Sequence, residues 1–182
     1  MVNSKGVFSV NNEVIKTITT RRSIREYSNR QISKGELETI MNAGAYAASG
    51  MGQQASMMVA VQDPEVIAQM SRLNAGVMGM DIDPFYGAPT VVVVFADSNR
   101  LTYIEDGSLV IGNMMLAASS IGVDSCWVHR AKETFETEEG KAFKKQWGIP
   151  DNYVGIGNCI LGYRAGDLPA AARRKPGRIV YA

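Results

Sequence analysis

A short basic segment near the start of the chain has the residue types needed to bind an anion. Arg21, Arg22, Ser23 and Arg25 lie within five consecutive positions. Arginine can bind phosphate oxygens through two parallel N–H bonds, and a serine hydroxyl with nearby backbone N–H groups can complete such a site. If the segment is extended, Arg21, Ser23 and Arg25 face the same way. A solvated basic turn explains the same pattern, and the residues alone favour that explanation.

A second basic cluster near the C-terminus could bind the same anion. Together with Arg30, the two clusters hold eight of the 19 Lys and Arg residues, and only Glu26 lies among them. The rest of the chain therefore has 11 cations against 17 acids, on a net charge of +1. This balance excludes a nucleic-acid-binding protein that is basic overall, but it allows a local anion site. The second cluster consists of Arg173, Arg174, Lys175 and Arg178.

Nucleophilic and metal chemistry have little support. Cys126 and His129 are three residues apart, so on a strand they would lie on opposite faces and form no local pair. The chain has one histidine and no G-x-S-x-G motif. We interpret Cys126 as a small buried side chain, and its distance from Cys159 predicts neither a disulfide framework nor a metal site. Any chemistry is then best assigned to a bound phosphorylated cofactor.

Helices and strands alternate along the chain, which favours a three-layer α+β or α/β domain. A capping box of Ser33 and Glu36 opens one of the helices. The β-branched run at 90–96 predicts a central strand. The predicted elements are a short helix capped by Asn12, a helix at 33–48, a strand at 57–61, a helix at 64–73, a loop at 74–87, a strand at 90–96, a helix at 105–121, a strand at 125–129, a helix capped by Thr134 and a strand at 153–163.

The predicted helix at 105–121 is apolar on almost every side, so it should be buried all round. One domain of 182 residues rarely buries a helix so fully by itself, which favours a subunit interface. The alternative is a central helix in a monomeric core. The glycines and polar residues at 107–123 make this stretch a poor membrane span, and residues 1–12 lack the apolar region of a signal peptide. We therefore expect a cytoplasmic protein that binds no membrane.

Four segments resemble the nitroreductase family of FMN-dependent oxidoreductases, and the likeness runs almost end to end. They are TTRRSIREYSNRQIS at 19–33, ASGMGQQ at 48–54, GAPTVVVVFAD at 87–97 and LAASSIGVDSCWVH at 116–129. The resemblance implies an α+β fold, a three-layer α/β/α sandwich, with residues 1–182 as a single domain. It also implies a homodimer built on the long helix, with FMN at the interface and the tail at about 165–182 packing on or across the dimer.

The resemblance assigns the two basic clusters to the cofactor phosphate. By position, Arg21, Arg22 and Ser23 should hold the FMN phosphate and ribityl chain. Arg174 matches a C-terminal phosphate ligand of the family, and Arg173 lies beside it. The two clusters would then meet at one phosphate group.

Other positions match the family's contacts to the flavin ring. Arg25 should approach the pyrimidine edge, where a cation stabilises the negative charge of the reduced ring. Asn74 matches a side chain that hydrogen-bonds the ring. His129 is a candidate proton donor, although a histidine at the surface or satisfied in the core is the favoured alternative. The backbone segment expected near flavin N5 is Trp127, Val128 and His129.

The loop at 49–56 is expected to cover the flavin of the partner subunit. Ser49, Gly50 and Gly52 match that loop, but the family pattern S-x-x-N-x-Q-P-W is only partly kept in SGMGQQAS. Val77 also stands where some family members have a Lys or Arg. With one cation fewer near the ring, we expect a lower reduction potential.

The resemblance implies an FMN-dependent enzyme that takes hydride from NADH or NADPH and reduces small electron-poor acceptors such as nitroaromatics or quinones. Donor and acceptor would use one site in turn, in a ping-pong mechanism. The flavin would carry the chemistry, so no side chain needs to be catalytic and no metal is expected. The alternative is a non-catalytic flavin carrier or sensor. The excess of acids outside the two clusters opposes nucleic-acid binding.

Overall fold

A run of β-branched residues forms the middle of the sheet. Strand β2 (Thr90–Asp97) is buried along its whole length, as the sequence predicted. Val91, Val93 and Phe95 pack into a core on one face of the sheet. Val92 and Val94 pack into a second core on the opposite face. Because alternate residues of a strand point to opposite faces, this strand joins two hydrophobic layers.

The sheet has four antiparallel strands, in a computed structural model that describes residues 10–182. The other strands are β1 (Ser56–Val61), β3 (Asp124–Val128) and β4 (Tyr153–Gly162), and the strand order is β1-β2-β4-β3. Strands β1 and β3 are therefore the edges. Residues 1–9 lie outside the described residues. They include most of the stretch at 1–12 for which the sequence predicts no signal peptide.

Helices cover both faces of the sheet. Helices α2 (Lys34–Ala45) and α4 (Tyr103–Ser120) pack on the face of Val92 and Val94. Helices α3 (Pro64–Met78), α5 (Ala131–Glu136) and α6 (Glu138–Gln146) pack on the other face. Helix α1 (Glu13–Thr20) buries no residue and contacts α4. The predicted α+β fold, a three-layer α/β/α sandwich, is confirmed.

The ends of two helices show how local sequence determines the elements. Ser33 caps α2 through a complete capping box with Glu36, as predicted, although the helix ends at Ala45 rather than at residue 48. The predicted loop at 74–87 is wrong at its start, because α3 continues to Met78 and ends at Gly79 in the left-handed conformation. Asn74 and Ala75 are buried there, so tertiary packing extends the helix beyond its sequence pattern.

The predicted cap at Thr134 is also wrong. Thr134 lies inside α5, and the cap of the next helix is Thr137, whose hydroxyl accepts from the Gly140 N–H at 3.0 Å. Thr137 is extended (φ −67°, ψ 161°), which breaks the predicted helix into two. A side chain at Gly140 would overlap the backbone of Thr134 and Phe135, so only glycine lets the two helices approach this closely.

Helix α4 is not buried on all sides in the single chain. Ile104 is 53% exposed and Leu109 is 48% exposed. The tail at 165–182 forms no helix or strand, and its side chains are exposed, including Ile179, Val180 and Tyr181. In residues 10–182 no helix combines the length and apolarity needed to cross a membrane.

Candidate functional site

The basic segment at 21–25 is held against the start of edge strand β3. Arg21 ends helix α1, and its backbone N–H donates to the Thr17 carbonyl at 3.0 Å. Ser23 then forms an isolated parallel bridge with Ser125, and the Ile24 N–H donates to the Ser125 carbonyl at 3.2 Å. These bonds place the half-buried residues 21–23 beside β3, whereas Arg25 is exposed.

A small cavity of about 140 Å³ opens beside this segment. Arg21 and Arg22 line it from one side, and Ser125 lines it from the strand. Arg164 and Leu168, which follow β4, line it as well. A larger cavity of about 620 Å³ lies beside α3, but its lining includes none of the predicted ligands.

Three residues of the lining each have a buried polar atom with no hydrogen-bond partner within residues 10–182. These atoms are Arg21 Nη1, Arg22 Nε and Ser125 Oγ. The other end of the Arg22 guanidinium is occupied, because its Nη1 donates to the carbonyls of Thr19 and Arg21 at 2.9 and 2.8 Å. A buried donor without an acceptor is costly, so a site with three of them suits a ligand that offers several acceptor oxygens. The donor set fits a phosphate group.

Arg164 brings a third guanidinium to the cavity. Its backbone N–H donates to Asp124 Oδ2 at 3.0 Å, and its Nη1 lies 3.1 Å from both carboxylate oxygens of Asp124. The lining thus has three cations against one acid. Arg164, Asp124 and Ser125 were not predicted as site residues, because their partners lie 40 or more residues away and leave no local pattern.

The opposite end of β3 carries the segment expected near the flavin ring. Trp127 and Val128 end the strand, and His129 follows it. From Ser125 to Val128 the chain spans about 10 Å, at about 3.3 Å per strand residue. The predicted phosphate and ring contacts therefore lie at the two ends of one short strand, an arrangement that suits an elongated cofactor.

His129 is exposed, in agreement with the surface alternative. Its Nδ1 accepts from the Arg130 N–H at 2.7 Å, so Nε2 carries the hydrogen of the neutral ring. A role in proton transfer stays a prediction.

Asn74 holds the backbone that follows β3. It is fully buried in α3, and its Nδ2 donates to the His129 carbonyl at 2.9 Å and to Thr134 Oγ1 at 3.3 Å. Its Oδ1 is a buried acceptor that no group in the described part of the chain satisfies. A flavin ring carries one imide N–H, which is the kind of donor that such an oxygen lacks. The Asn74 side chain is fully buried and lines neither of the two cavities described above, so its predicted ring contact stays a prediction.

The loop expected to cover the flavin is tied to the start of α4. The loop contains a 3₁₀ turn at Gly50–Gly52, and Ser49 Oγ accepts from the Gln54 N–H at 3.0 Å. The Gly50 N–H donates to Asp106 Oδ1 at 2.9 Å. Asp106 is 4% exposed. Asp106 was not predicted as a site residue, although a charged residue in an otherwise apolar helix is a usable signal.

The C-terminal cluster is not brought to the cavity by any described contact. Arg173 and Arg174 are exposed in the irregular tail. Leu168 is the member of the tail that lines the cavity. The meeting of Arg174 with Arg21 at one phosphate therefore stays a prediction.

The thiols and the acidic residues offer no second reactive centre in the described residues. Cys126 and Cys159 are buried, and burial raises the pKa of Cys159 to about 12. A thiol with such a pKa remains protonated at neutral pH and is a poor nucleophile. Between residues 10 and 182, no three His, Cys, Asp or Glu side chains group in a way that could hold a metal ion.

Comparison with known proteins gives the family of this chain. The profile of the nitroreductase family matches residues 18–79 and 81–163. A protein of Archaeoglobus fulgidus, provisionally named NADH dehydrogenase/NAD(P)H nitroreductase, is 35% identical over an alignment of 157 residues, and the match covers 83% of this chain and 85% of that protein. The chain therefore belongs to the nitroreductase family, and the family predicted from its four segments is confirmed.

Solved structures agree with this assignment. A nitroreductase with bound FMN from Bacteroides fragilis superposes with a TM-score of 0.88 at 32% identity, over 94% of this chain and 100% of that one. A second nitroreductase with bound FMN, from Desulfitobacterium hafniense, gives a TM-score of 0.85 at 26% identity, over 95% of this chain and 100% of that one.

Proposed function

We propose that this protein is an FMN-dependent NAD(P)H oxidoreductase that acts as a homodimer. The observation that carries the proposal is the cavity at the start of β3, where Arg21, Arg22 and Ser125 leave buried donors without acceptors. Family membership and the FMN bound to the Bacteroides fragilis structure support the choice of ligand.

The residues of this chain would hold the two ends of FMN. Arg21 and Arg22 bind the phosphate by charge-assisted hydrogen bonds, and Ser23, bridged to Ser125, lies next to the ribityl chain. Arg25, an exposed cation two residues after Ser23, balances negative charge on the ring. Arg174, with Arg173 beside it, completes the phosphate site from the tail.

The end of β3 would orient the ring. Trp127, Val128 and His129 present backbone groups there, and Asn74 fixes the His129 carbonyl with its amide hydrogen. When bound, FMN supplies the redox chemistry, taking hydride from NADH or NADPH and passing electrons to a small acceptor such as a nitroaromatic or a quinone. The protein binds, orients and shields the reactants, and use of one site by donor and acceptor in turn predicts ping-pong kinetics.

The dimer is supported by apolar surface that the single chain leaves exposed. Ile104 and Leu109 lie half exposed on α4, and a Cβ at Gly112 would meet no described atom within 4 Å. Exposed apolar side chains on a long helix are typical of a subunit interface. The exposed apolar residues of the tail, such as Val180, support packing of 165–182 on or across the partner.

The experiment combines the absorbance spectrum of the purified protein with its solution mass and its steady-state turnover. We expect a yellow dimer that oxidises NADH or NADPH repeatedly in the presence of a nitro compound. A colourless protein that binds no added FMN would contradict the proposal. A yellow protein that is reduced at most once would identify the alternative, a flavin carrier or sensor.

A further inference from the structure

We infer that Asp106 is a positioning residue for the flavin site, and that it acts on the site of the partner subunit. The inference rests on the proposed function and on the expectation that the loop at 49–56 covers the partner's flavin. Its physical basis is the contact between that loop and the first turn of α4. Neither the family resemblance nor the sequence motifs single out this residue.

The carboxylate of Asp106 is buried and fully engaged. Oδ1 accepts from the Gly50 N–H at 2.9 Å, and Oδ2 accepts from Thr102 Oγ1 at 3.2 Å. A buried carboxylate is unfavourable unless its oxygens find donors, and the N-terminal turn of a helix also favours a negative charge. The position is therefore suited to an acid whose task is to hold a backbone N–H group.

Thr102 and Gly50 form the second half of this contact. A Cβ at Gly50 would overlap Thr102 Oγ1 and come within 3.3 Å of its methyl group. The loop backbone therefore lies directly against the helix start, and a side chain at position 50 would force Thr102 to shift. Loop and helix can move apart only if the bond to Asp106 breaks.

The rest of the loop needs such an anchor. Met51 and Gln54 have positive φ angles of 52° and 50°, which are costly for residues with a side chain. Strained backbone of this kind persists only where surrounding contacts determine it. The Asp106 bond and the Ser49 cap on Gln54 are the side-chain hydrogen bonds described for this loop.

The test measures FMN affinity by quenching of flavin fluorescence on flavin-free protein, with solution mass and thermal midpoint recorded for each variant. We expect Asp106→Ala to weaken FMN binding by about ten-fold or more while the dimer persists, because a buried N–H group loses its acceptor. Asp106→Asn keeps an acceptor oxygen and should stay close to wild type. The exposed neighbour Glu105→Ala is the matched control.

A steric variant tests the same contact between loop and helix if Asp106→Ala does not fold. Gly50→Ala should displace the loop and weaken FMN binding, because the added Cβ overlaps Thr102 Oγ1. Gly50→Ala with wild-type affinity would contradict the inference. If wild-type protein itself binds no FMN, the proposed function fails instead.

Mixed dimers test whether the effect crosses the interface. Asp106→Ala damages the loop that covers the partner's site, whereas Arg21→Gln damages the site of its own chain. After subunit exchange in an equal mixture, about half of the dimers contain one subunit of each variant. Each mixed dimer has one site in which both the phosphate ligands and the covering loop are intact, so about a quarter of all sites should regain high affinity. No recovery in exchanged dimers would contradict action on the partner.

Discussion

Arg164 and Asp124 form a two-oxygen ion pair at the cavity that Arg21 lines, with Arg164 Nη1 3.1 Å from each carboxylate oxygen. The Arg164 backbone N–H donates to the same carboxylate, so the chain two residues after β4 is held to the first residue of β3. This ion pair keeps the Arg164 guanidinium at the cavity. Among the ion pairs of the described residues, Arg21 and Arg22 have no carboxylate partner. The cavity keeps an excess of positive charge.

Arg21→Gln should weaken FMN binding without affecting riboflavin, which lacks the phosphate. A charge-assisted hydrogen bond contributes about 1.5–3 kcal/mol, so the Kd for FMN should rise about ten- to hundred-fold. Fluorescence titration with both flavins measures the difference. Arg72→Gln, at an exposed cation outside this cavity, is the control. Equal losses of affinity for FMN and riboflavin would contradict the assignment of Arg21 to the phosphate.

Arg174→Ala tests the meeting of the two basic clusters. If the tail places Arg174 on the phosphate, the Kd for FMN should rise by a similar factor, and riboflavin binding should be unchanged. The control is Arg178→Ala in the same cluster. A protein that keeps full FMN affinity after Arg174→Ala would show that the C-terminal cluster has another role.

Glu36 should make stability depend on pH below about 4.5. Hydrogen bonds from Ser33 and from the Tyr163 hydroxyl lower the pKa of this carboxyl to about 2 in the folded state. Because the folded pKa is depressed, its contribution is fully present above about 4.5 and is lost as the pH falls towards 2. Chemical denaturation across this range should show Glu36→Gln less stable than wild type at pH 6, with the difference shrinking in acid.

Glu38→Gln is the matched control, because Glu38 lies on the same helix and pairs only with exposed Lys34 at 3.6 Å. A difference between wild type and Glu36→Gln that stays constant from pH 6 to pH 2 would show that the Glu36 carboxylate is not linked to folding.

Leu109→Asp should convert the dimer to monomer and lower FMN affinity. The substitution places a charge on the exposed apolar surface of α4, where burial against a partner would remove its water. Light scattering reports the mass, and flavin fluorescence reports binding. Leu101→Asp is the control, because Leu101 is 98% exposed just before the same helix. If the Leu109→Asp variant remains a dimer, the subunit interface does not include Leu109.

Local signals predicted most of the fold. The capping box at Ser33, the β-branched run at 90–96 and the apolar helix that became α4 all appear with small shifts at their ends. Periodicity and caps act over a few residues, so they are visible in one sequence. Strand order is not visible, because a buried strand carries no record of which strands lie beside it.

Residues of the candidate site could be predicted only where they belong to a recognisable sequence motif. Residues 21–25 and 127–129 stand out by composition or by family resemblance, and the structure places them along one strand. Asp106, Asp124 and Arg164 act through partners 40 to 56 residues away, so no short-range spacing in the sequence indicates their role. Asn74 was assigned to a loop because its helix continues through tertiary burial rather than through periodicity.

The most direct test of the proposed function is anaerobic addition of NADH or NADPH to the purified yellow protein, followed by a nitroaromatic compound. Loss of the flavin absorbance on addition of the donor, and its full return on addition of the acceptor through repeated cycles, is the predicted result. Flavin that neither nicotinamide reduces would contradict the assignment as an NAD(P)H oxidoreductase.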